Sequence, residues 1–342
     1  MHTPVTNLPC AHGLPPGQGR LKSLPEDFIV EEILSFEPSA SGEHVLLFIE
    51  KRGENTEHIA RQLGRFAGVS LRDIGYAGLK DRHGVTRQWF SVKCPIKTEA
   101  DFSPLESASL KIVSQTRNTR KIRKGAIAGN RFVVRIRQLT GDKAALEERL
   151  AVIAQQGVPN YFGSQRFGHD GGNIAQSQAL FAGELDGIDP HKRGLYLSAA
   201  RSELFNRVLA ARVLAGTWNQ ALEGDVFMFP DSHSYFTAVL DDDITRRVTE
   251  LNIHPSGPLW GIGENPVSGA VKVLEETVLS EALDICRGLE QYGVETGRRP
   301  LRFCPEKLKW RFIEPADLEV SFLLPSGTYA TTLLRELITH DE

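Results

Sequence analysis

Asp81 stands between Lys80 and Arg82 in the stretch Gly75-Tyr76-Ala77-Gly78-Leu79-Lys80-Asp81-Arg82-His83-Gly84-Val85-Thr86-Arg87-Gln88-Trp89. An aspartate side chain is ionised at neutral pH, and adjacent cations favour the charged form. Such a carboxylate attacks an electrophilic carbon without first losing a proton to a general base. The plainer alternative is an aspartate closing a β-turn with surface cations beside it. These residues alone leave both open.

Most other chemical signatures are missing. The chain has no G-x-x-x-x-G-K-[ST] phosphate loop, no G-x-G-x-x-G after a strand and no G-x-S-x-G elbow. Gly261-Ile262-Gly263 runs on to Pro266, where a third glycine would be needed. Nucleotide hydrolysis and hydride transfer lose their support. Cys10, Cys94, Cys286 and Cys304 form no C-x-x-C pair, and the histidines form no H-E-x-x-H or H-x-x-x-H. Packed free thiols and no metal site are expected.

The net charge of −3 argues against a protein that coats nucleic acid, but a local surface can still recognise one. Between Lys111 and Arg137 lie nine basic residues and no acid. Arg120, Lys121, Arg123 and Lys124 form its densest part and are candidates for phosphate contact. A charge run of this kind is otherwise a solvated face. No window reaches ~18 unbroken apolar residues, so no membrane span is expected. Met1 to Gly19 is rich in Pro and Gly without an apolar centre, unlike a signal peptide. The cytoplasm is the expected compartment.

The elements that would position Asp81 can be read from periodicity. Phe28 to Phe36 and His44 to Glu50 read as strands around a Pro-Ser-Ala-Ser-Gly turn. Asn55 starts a helix with Ile59, Leu63 and Phe66 at helical spacing, and Gly68 closes it. Ile74 to Ala77 and Val85 to Val92 are strands, with Asp81 in the connection. Arg131 to Arg137 alternates Phe132, Val134 and Ile136 with three arginines, a half-buried strand with a cationic outer face. Leu146, Leu150 and Ile153 mark a helix ended by Gly157 and Pro159. Ser198 to Trp218 and Glu275 to Tyr292 read as amphipathic helices, Leu318 to Leu324 as a strand, and a helix follows from about Thr331. Strands first, helices in the middle and a strand at the end suggest a middle domain inserted into the first.

The Asp81 stretch resembles the nucleophile loop of the TruD family of tRNA pseudouridine synthases, which runs roughly G-x-K-D-x-x-A/G-V-T-x-Q. Further blocks match in order: Gly19 to Phe28, Gly129-Asn130-Arg131-Phe132, Asn160-Tyr161-Phe162-Gly163-Ser164-Gln165-Arg166-Phe167-Gly168, Ser198 to Asn206, and Leu324 to Thr331. The resemblance covers nearly the whole chain. Tyr329 departs from the family's usual Phe, and residues 231–265 match no known block.

This resemblance implies an α+β protein. Its core would be a pseudouridine-synthase-like, mixed and largely antiparallel sheet formed by 1–157 and 304–342, with a helical α/β domain, 158–303, inserted. It implies isomerisation of uridine to pseudouridine in tRNA, at position 13, with Asp81 as the nucleophile. Lys22, Phe28, Asn130, Phe132 and Tyr329 would bind the substrate, Lys22 or Arg82 would pair with Asp81, and Arg82 is the other candidate phosphate contact. Redox chemistry, a phosphate donor and a metal are unnecessary, so no cofactor is expected. The partner is tRNA; a monomer without obligatory protein partner or membrane is implied. A non-catalytic RNA-binding protein or RNA chaperone on the same fold is the alternative, and a glycosylase that releases uracil is another.

Overall fold

A computed structural model describes residues 8–81, 84–97, 100–230 and 232–339. In chain order the elements begin with β1 (Gly17–Arg20), β2 (Phe28–Leu34), β3 (His44–Arg52), α1 (Thr56–Ala67), β4 (Ile74–Tyr76), β5 (Val85–Lys93), β6 (Leu110–Asn118) and β7 (Ile127–Gly141). The middle holds α2 (Lys143–Gln156), β8 (Val158–Pro159), α3 (Gly172–Phe181), α4 (Pro190–Leu214), β9 (Val226–Met228), β10 (Tyr235–Thr237), α5 (Asp242–Thr249), β11 (His254–Leu259), α6 (Gly269–Ser280), α7 (Leu283–Gln291), β12 (Gly297–Pro300) and β13 (Arg302–Phe303). The chain ends with β14 (Glu306–Ile313), β15 (Asp317–Pro325), α8 (Ala330–Leu334) and β16 (Ile338–Thr339).

The chain divides into two compact units. One, the sheet unit, is built from 17–142 and 305–327. The other, the helical unit, contains 8–16, 143–304 and 328–338. Where the sequence reading sets the insertion at 158–303, the helical unit thus also takes in α2 and two flanking segments. Glu336 is what ties these together: its carboxylate accepts from the Ala11 and His12 amides, and its carbonyl accepts from the Arg149 guanidinium at 2.6 Å.

The sheet unit is one mixed sheet in the order β14-β15-β7-β2-β5-β3-β6, with β1 added on β7 and β4 on β5. Its pairings are antiparallel except β2 with β5, which run parallel. The largely antiparallel, mixed α+β architecture is therefore the one expected. Helix α1 covers one face over β3 and β5, where Val45, Leu47, Ile49, Phe90 and Val92 pack against Ile59 and Leu63. Gly68 ends α1 with φ +66°, a left-handed conformation that glycine adopts without strain.

In the helical unit α4 begins at Pro190, ahead of Ser198. The Asp189 carboxylate accepts from the amides of His191 and Lys192, and Pro190 takes the first helical position. Glu275 to Tyr292 is two helices and not one, because buried Ala282 leaves helical backbone (φ −137°) between α6 and α7. The stretch that matched no family block supplies β10, α5 and β11. Strands β9 to β12 form a four-stranded sheet in the order β10-β9-β11-β12.

Candidate active site

Side-chain alternation along the strands of the sheet unit decides which residues meet. Residues directly opposite one another share a face. Phe28, Val30 and Glu32 on β2 face Val134, Phe132 and Asn130 on β7. On the far side of β7, Phe322 and Leu324 of β15 lie opposite Phe132 and Asn130. On the near side, Thr86 of β5 is opposite Val30, and Lys51 of β3 is opposite Thr86. One face of one sheet thus carries Phe28, Glu32, Asn130, Phe132, Thr86, Gln88 and Lys51. The connection from β4 to β5, which holds Asp81, enters β5 beside them. Gly84 is needed at that entry, since a Cβ there would lie 2.6 Å from the Phe28 carbonyl oxygen.

The Asp81 carboxylate is part-exposed, with Lys22 Nζ 4.0 Å from its Oδ2. The same ammonium sits 4.4 Å from the centroid of the Phe28 ring. Phe28 in turn meets Phe132 edge-on at 6.0 Å, and Phe132 stacks on Phe322 at 5.4 Å. A continuous line of contacts therefore runs from the carboxylate through a cation to a row of aromatic rings. Asn130, two residues from Phe132, has a buried Oδ1 without a hydrogen-bond partner among the described residues. An acceptor left so is costly unless something donates to it.

The segment that carries Lys22 is held by a residue that sequence reasoning did not single out. Asp27 is fully buried; it accepts from the Leu24 amide at 2.8 Å and from Arg137 through two guanidinium nitrogens at 2.7 and 2.8 Å. The segment that carries Lys22 is thereby clamped to β7. Four further residues missed by sequence reasoning hold the Asp81 loop. Gln88 donates to the Gly78 carbonyl at 2.6 Å; Thr56 Oγ1 accepts from the Lys80 amide at 3.1 Å and donates to Gln88 Oε1 at 2.9 Å. Lys51 donates to the carbonyls of Glu54 and Asp81, at 2.8 and 3.2 Å. Glu32 receives the Lys80 ammonium at 2.7 Å in a buried ion pair. The available signal was parity: Glu32, Lys51 and Gln88 occupy inward positions of alternating strands.

Burial sets the electrostatics here. It pushes Lys51 down to about 8, aided by the Lys80 charge and opposed by Asp81 and Glu54. Burial likewise pushes Glu32 up, with Lys80 pulling the other way.

Tyr329 belongs to the helical unit. Its hydroxyl accepts from Arg166 Nε at 3.2 Å and its ring meets Phe162 edge-on at 6.3 Å. Arg166 also donates to Ser198, and Asn206 clasps the Phe162 amide and carbonyl. The Asn160–Gly168 and Ser198–Asn206 blocks are therefore one packed cluster. Half-buried Arg299 lies 4.0 Å over the Phe162 ring and donates to the Asn160 carbonyl and side chain; loss of solvent around its guanidinium lowers it to about 10.

The basic run splits. Arg120, Arg123, Lys124 and Arg131 are exposed. Lys121 donates to the Arg72 carbonyl, and Arg117 to those of Gly42 and Cys94. The expected cationic outer face of β7 is largely neutralised, since Arg135 pairs with Asp317 and Arg137 with Asp27 and Asp317. Arg82 lies outside the described residues.

The fold matches that of a solved structure from Methanosarcina mazei described as tRNA pseudouridine synthase D (TruD). The TM-score is 0.71, covering 99% of this chain and 96% of that one, and at 22% identity the likeness is one of fold. The family model for tRNA pseudouridine synthase D (TruD) matches residues 10–175 and 172–337. The tRNA pseudouridine synthase D of Methylococcus capsulatus is 52% identical over 336 residues, 98% of this chain and 95% of that protein. The tRNA pseudouridine synthase D of Pseudomonas fluorescens is 46% identical over 96% of this chain and 94% of its own length. This chain belongs to the TruD family.

Proposed function

We propose that this TruD family member isomerises uridine to pseudouridine at position 13 of tRNA, with Asp81 as the nucleophile. The reaction breaks the bond between N1 and the ribose C1′, turns the uracil, and joins C5 to C1′. C5 loses a proton and N1 gains one, so no oxidant, phosphate donor or net proton is consumed. The requirements are a carboxylate beside the sugar–base junction, a pocket that retains the loose base, and little water. The observation that carries the reading is the line Asp81–Lys22–Phe28–Phe132, which runs from two connections onto one sheet face.

A base inside a folded RNA must leave its stack, at a cost of a few kcal/mol, and an aromatic platform returns ~1–3 kcal/mol per stacked base. Phe28 and Phe132 are the rings proposed to receive the base; both are buried, at 2% and 8% exposure, so stacking requires a covering side chain to move aside. Asn130 Oδ1, without a hydrogen-bond partner among the described residues, suits the uracil N3–H. Tyr329, held by Arg166 and Phe162, is the further aromatic face assigned to substrate. Exposed Arg120, Arg123 and Lys124 would hold the RNA backbone, which positions a substrate without reading its bases. Among the described residues no helix is long and apolar enough to cross a membrane. The cytoplasm is the proposed compartment, and a monomer the proposed state.

The test is tritium release from tRNA labelled at C5 of uridine, wild type against Asp81→Asn. Asp81→Asn should release none while tRNA affinity stays within about tenfold, or ~1.4 kcal/mol. Robust release by Asp81→Asn removes Asp81 from the nucleophile role. Tight binding without release by the wild type would favour a chaperone.

A further inference from the structure

A nucleophile on a short connection points reliably only if the connection's backbone is tied down. Gln88, Thr56 and the Glu32–Lys80 pair fix residues 78 to 80. Lys51 acts on the nucleophile's own residue, through the Asp81 carbonyl, and on the Glu54 carbonyl where the chain leaves β3. Its side chain is 1% exposed and sits on the strand face that also holds Thr86. Packing alone does not account for it. An ammonium is costly to bury, and an apolar chain of the same length would fill the space without that cost. What the ammonium adds is a charge-assisted grip on two carbonyls at once.

We propose that Lys51 is a positioning residue for the reaction, its ammonium clamping the Asp81 backbone to the end of β3 and thereby aiming the carboxylate. The inference rests on Asp81 being the nucleophile. The charged and titratable groups facing Lys51 are Asp81 and Lys80 on the loop and Glu54 after β3. Below about pH 8 the ammonium is intact and donates with full charge. As pH rises through that value a proton is lost, the grip weakens and the rate falls.

The experiment measures single-turnover pseudouridine formation and tRNA dissociation constants from pH 6 to 9 for wild type, Lys51→Met, Lys51→Arg and Asp81→Asn. Misplacing a reacting group by about 1 Å costs roughly 100-fold in rate. Lys51→Met should lose about that much at pH 7 while its dissociation constant stays within about threefold. Wild type should show a fall in rate centred near pH 8 that is absent from Lys51→Arg, whose guanidinium stays charged throughout. The inference is overturned if Lys51→Met turns over at the wild-type rate, if its loss is matched in affinity, or if Lys51→Arg keeps the same fall. Should Lys51→Met not fold, the pH profiles of wild type and Lys51→Arg decide alone. An active Asp81→Asn would instead defeat the nucleophile assignment.

Discussion

The Lys80 ammonium lies 2.7 Å from the Glu32 carboxylate with both side chains buried, whereas Asp81, one residue on, is part-exposed. Two neighbouring side chains of one loop thus point to opposite environments. The first anchors and the second is presented. Such an arrangement makes the loop's stability and its chemistry separable by mutation.

Breaking the buried pair should be expensive. Glu32→Gln leaves the Lys80 charge buried without its counter-ion, and a loss of ~3–5 kcal/mol is expected. The double variant Glu32→Leu/Lys80→Met should recover much of that loss, because it removes both charges. Urea unfolding of the three proteins checks this. Equal losses in the single and double variants would mean that the pair contributes little beyond packing.

The split of the basic run predicts a split in behaviour. Arg120→Ala, Arg123→Ala and Lys124→Ala together should weaken tRNA binding and flatten the dependence of log K on log salt, by ~0.7–0.9 for each phosphate no longer neutralised. Their turnover at saturating tRNA should fall much less. Arg137→Ala, by contrast, strips buried Asp27 of its partner and should lower stability by ~3–5 kcal/mol. Salt titrations and thermal melts of the same proteins separate the two effects. An unchanged salt slope in the triple variant would return these residues to a solvated face.

Tyr329→Phe removes the hydroxyl that Arg166 bonds. The ring contact with Phe162 survives, so the loss of stability should be ~0.5–1.5 kcal/mol. Tyr329→Ala removes the ring as well and should also depress turnover. Pseudouridine formation that is indifferent to Tyr329→Ala would take this residue out of the substrate site.

His254 supplies a pH prediction. It is buried, its Nδ1 accepts from Arg302 Nε at 2.9 Å, and burial with the nearby Arg302 charge lowers it to about 3. The folded protein holds it neutral, while the unfolded chain protonates it near its ordinary value. A base with a lowered folded value contributes stability that is present above the unfolded value and lost as pH falls towards the folded one. Stability should therefore fall by up to ~1.4 kcal/mol per pH unit below about pH 6.5. His254→Gln, which keeps an acceptor but does not titrate, should show a shallower decline between about pH 6.5 and 4.5 in urea unfolding. Parallel declines would locate the acid sensitivity elsewhere.

Local order was legible wherever it obeyed a local rule. The alternation of Phe132, Val134 and Ile136 defines the central part of β7, and Asn55 with Gly68 brackets α1. The ordered family blocks singled out Asp81, Lys22, Phe28, Asn130 and Phe132 before any contact was known. Alternation also marks Lys51 as sharing a side with Ile49, and Glu32 with Val30, because side chains in a strand repeat every second residue. What alternation cannot say is which strands are neighbours. The parallel pairing of β2 with β5, and the antiparallel pairing of β7 with both β2 and β15, bring Lys51, Thr86, Glu32, Asn130 and Phe322 to one face. Charge was misread for the same reason. Arg135 and Arg137 look like free cations along the chain, but Asp317 and Asp27 reach them across it. The break at Ala282 carries no glycine or proline to announce it, and follows from packing in the α4, α6 and α7 core. Residue type and period determined the elements and left Asp81 with two readings, between which the ordered family blocks chose; strand register and burial, which depend on contacts distant in sequence, decided what surrounds it.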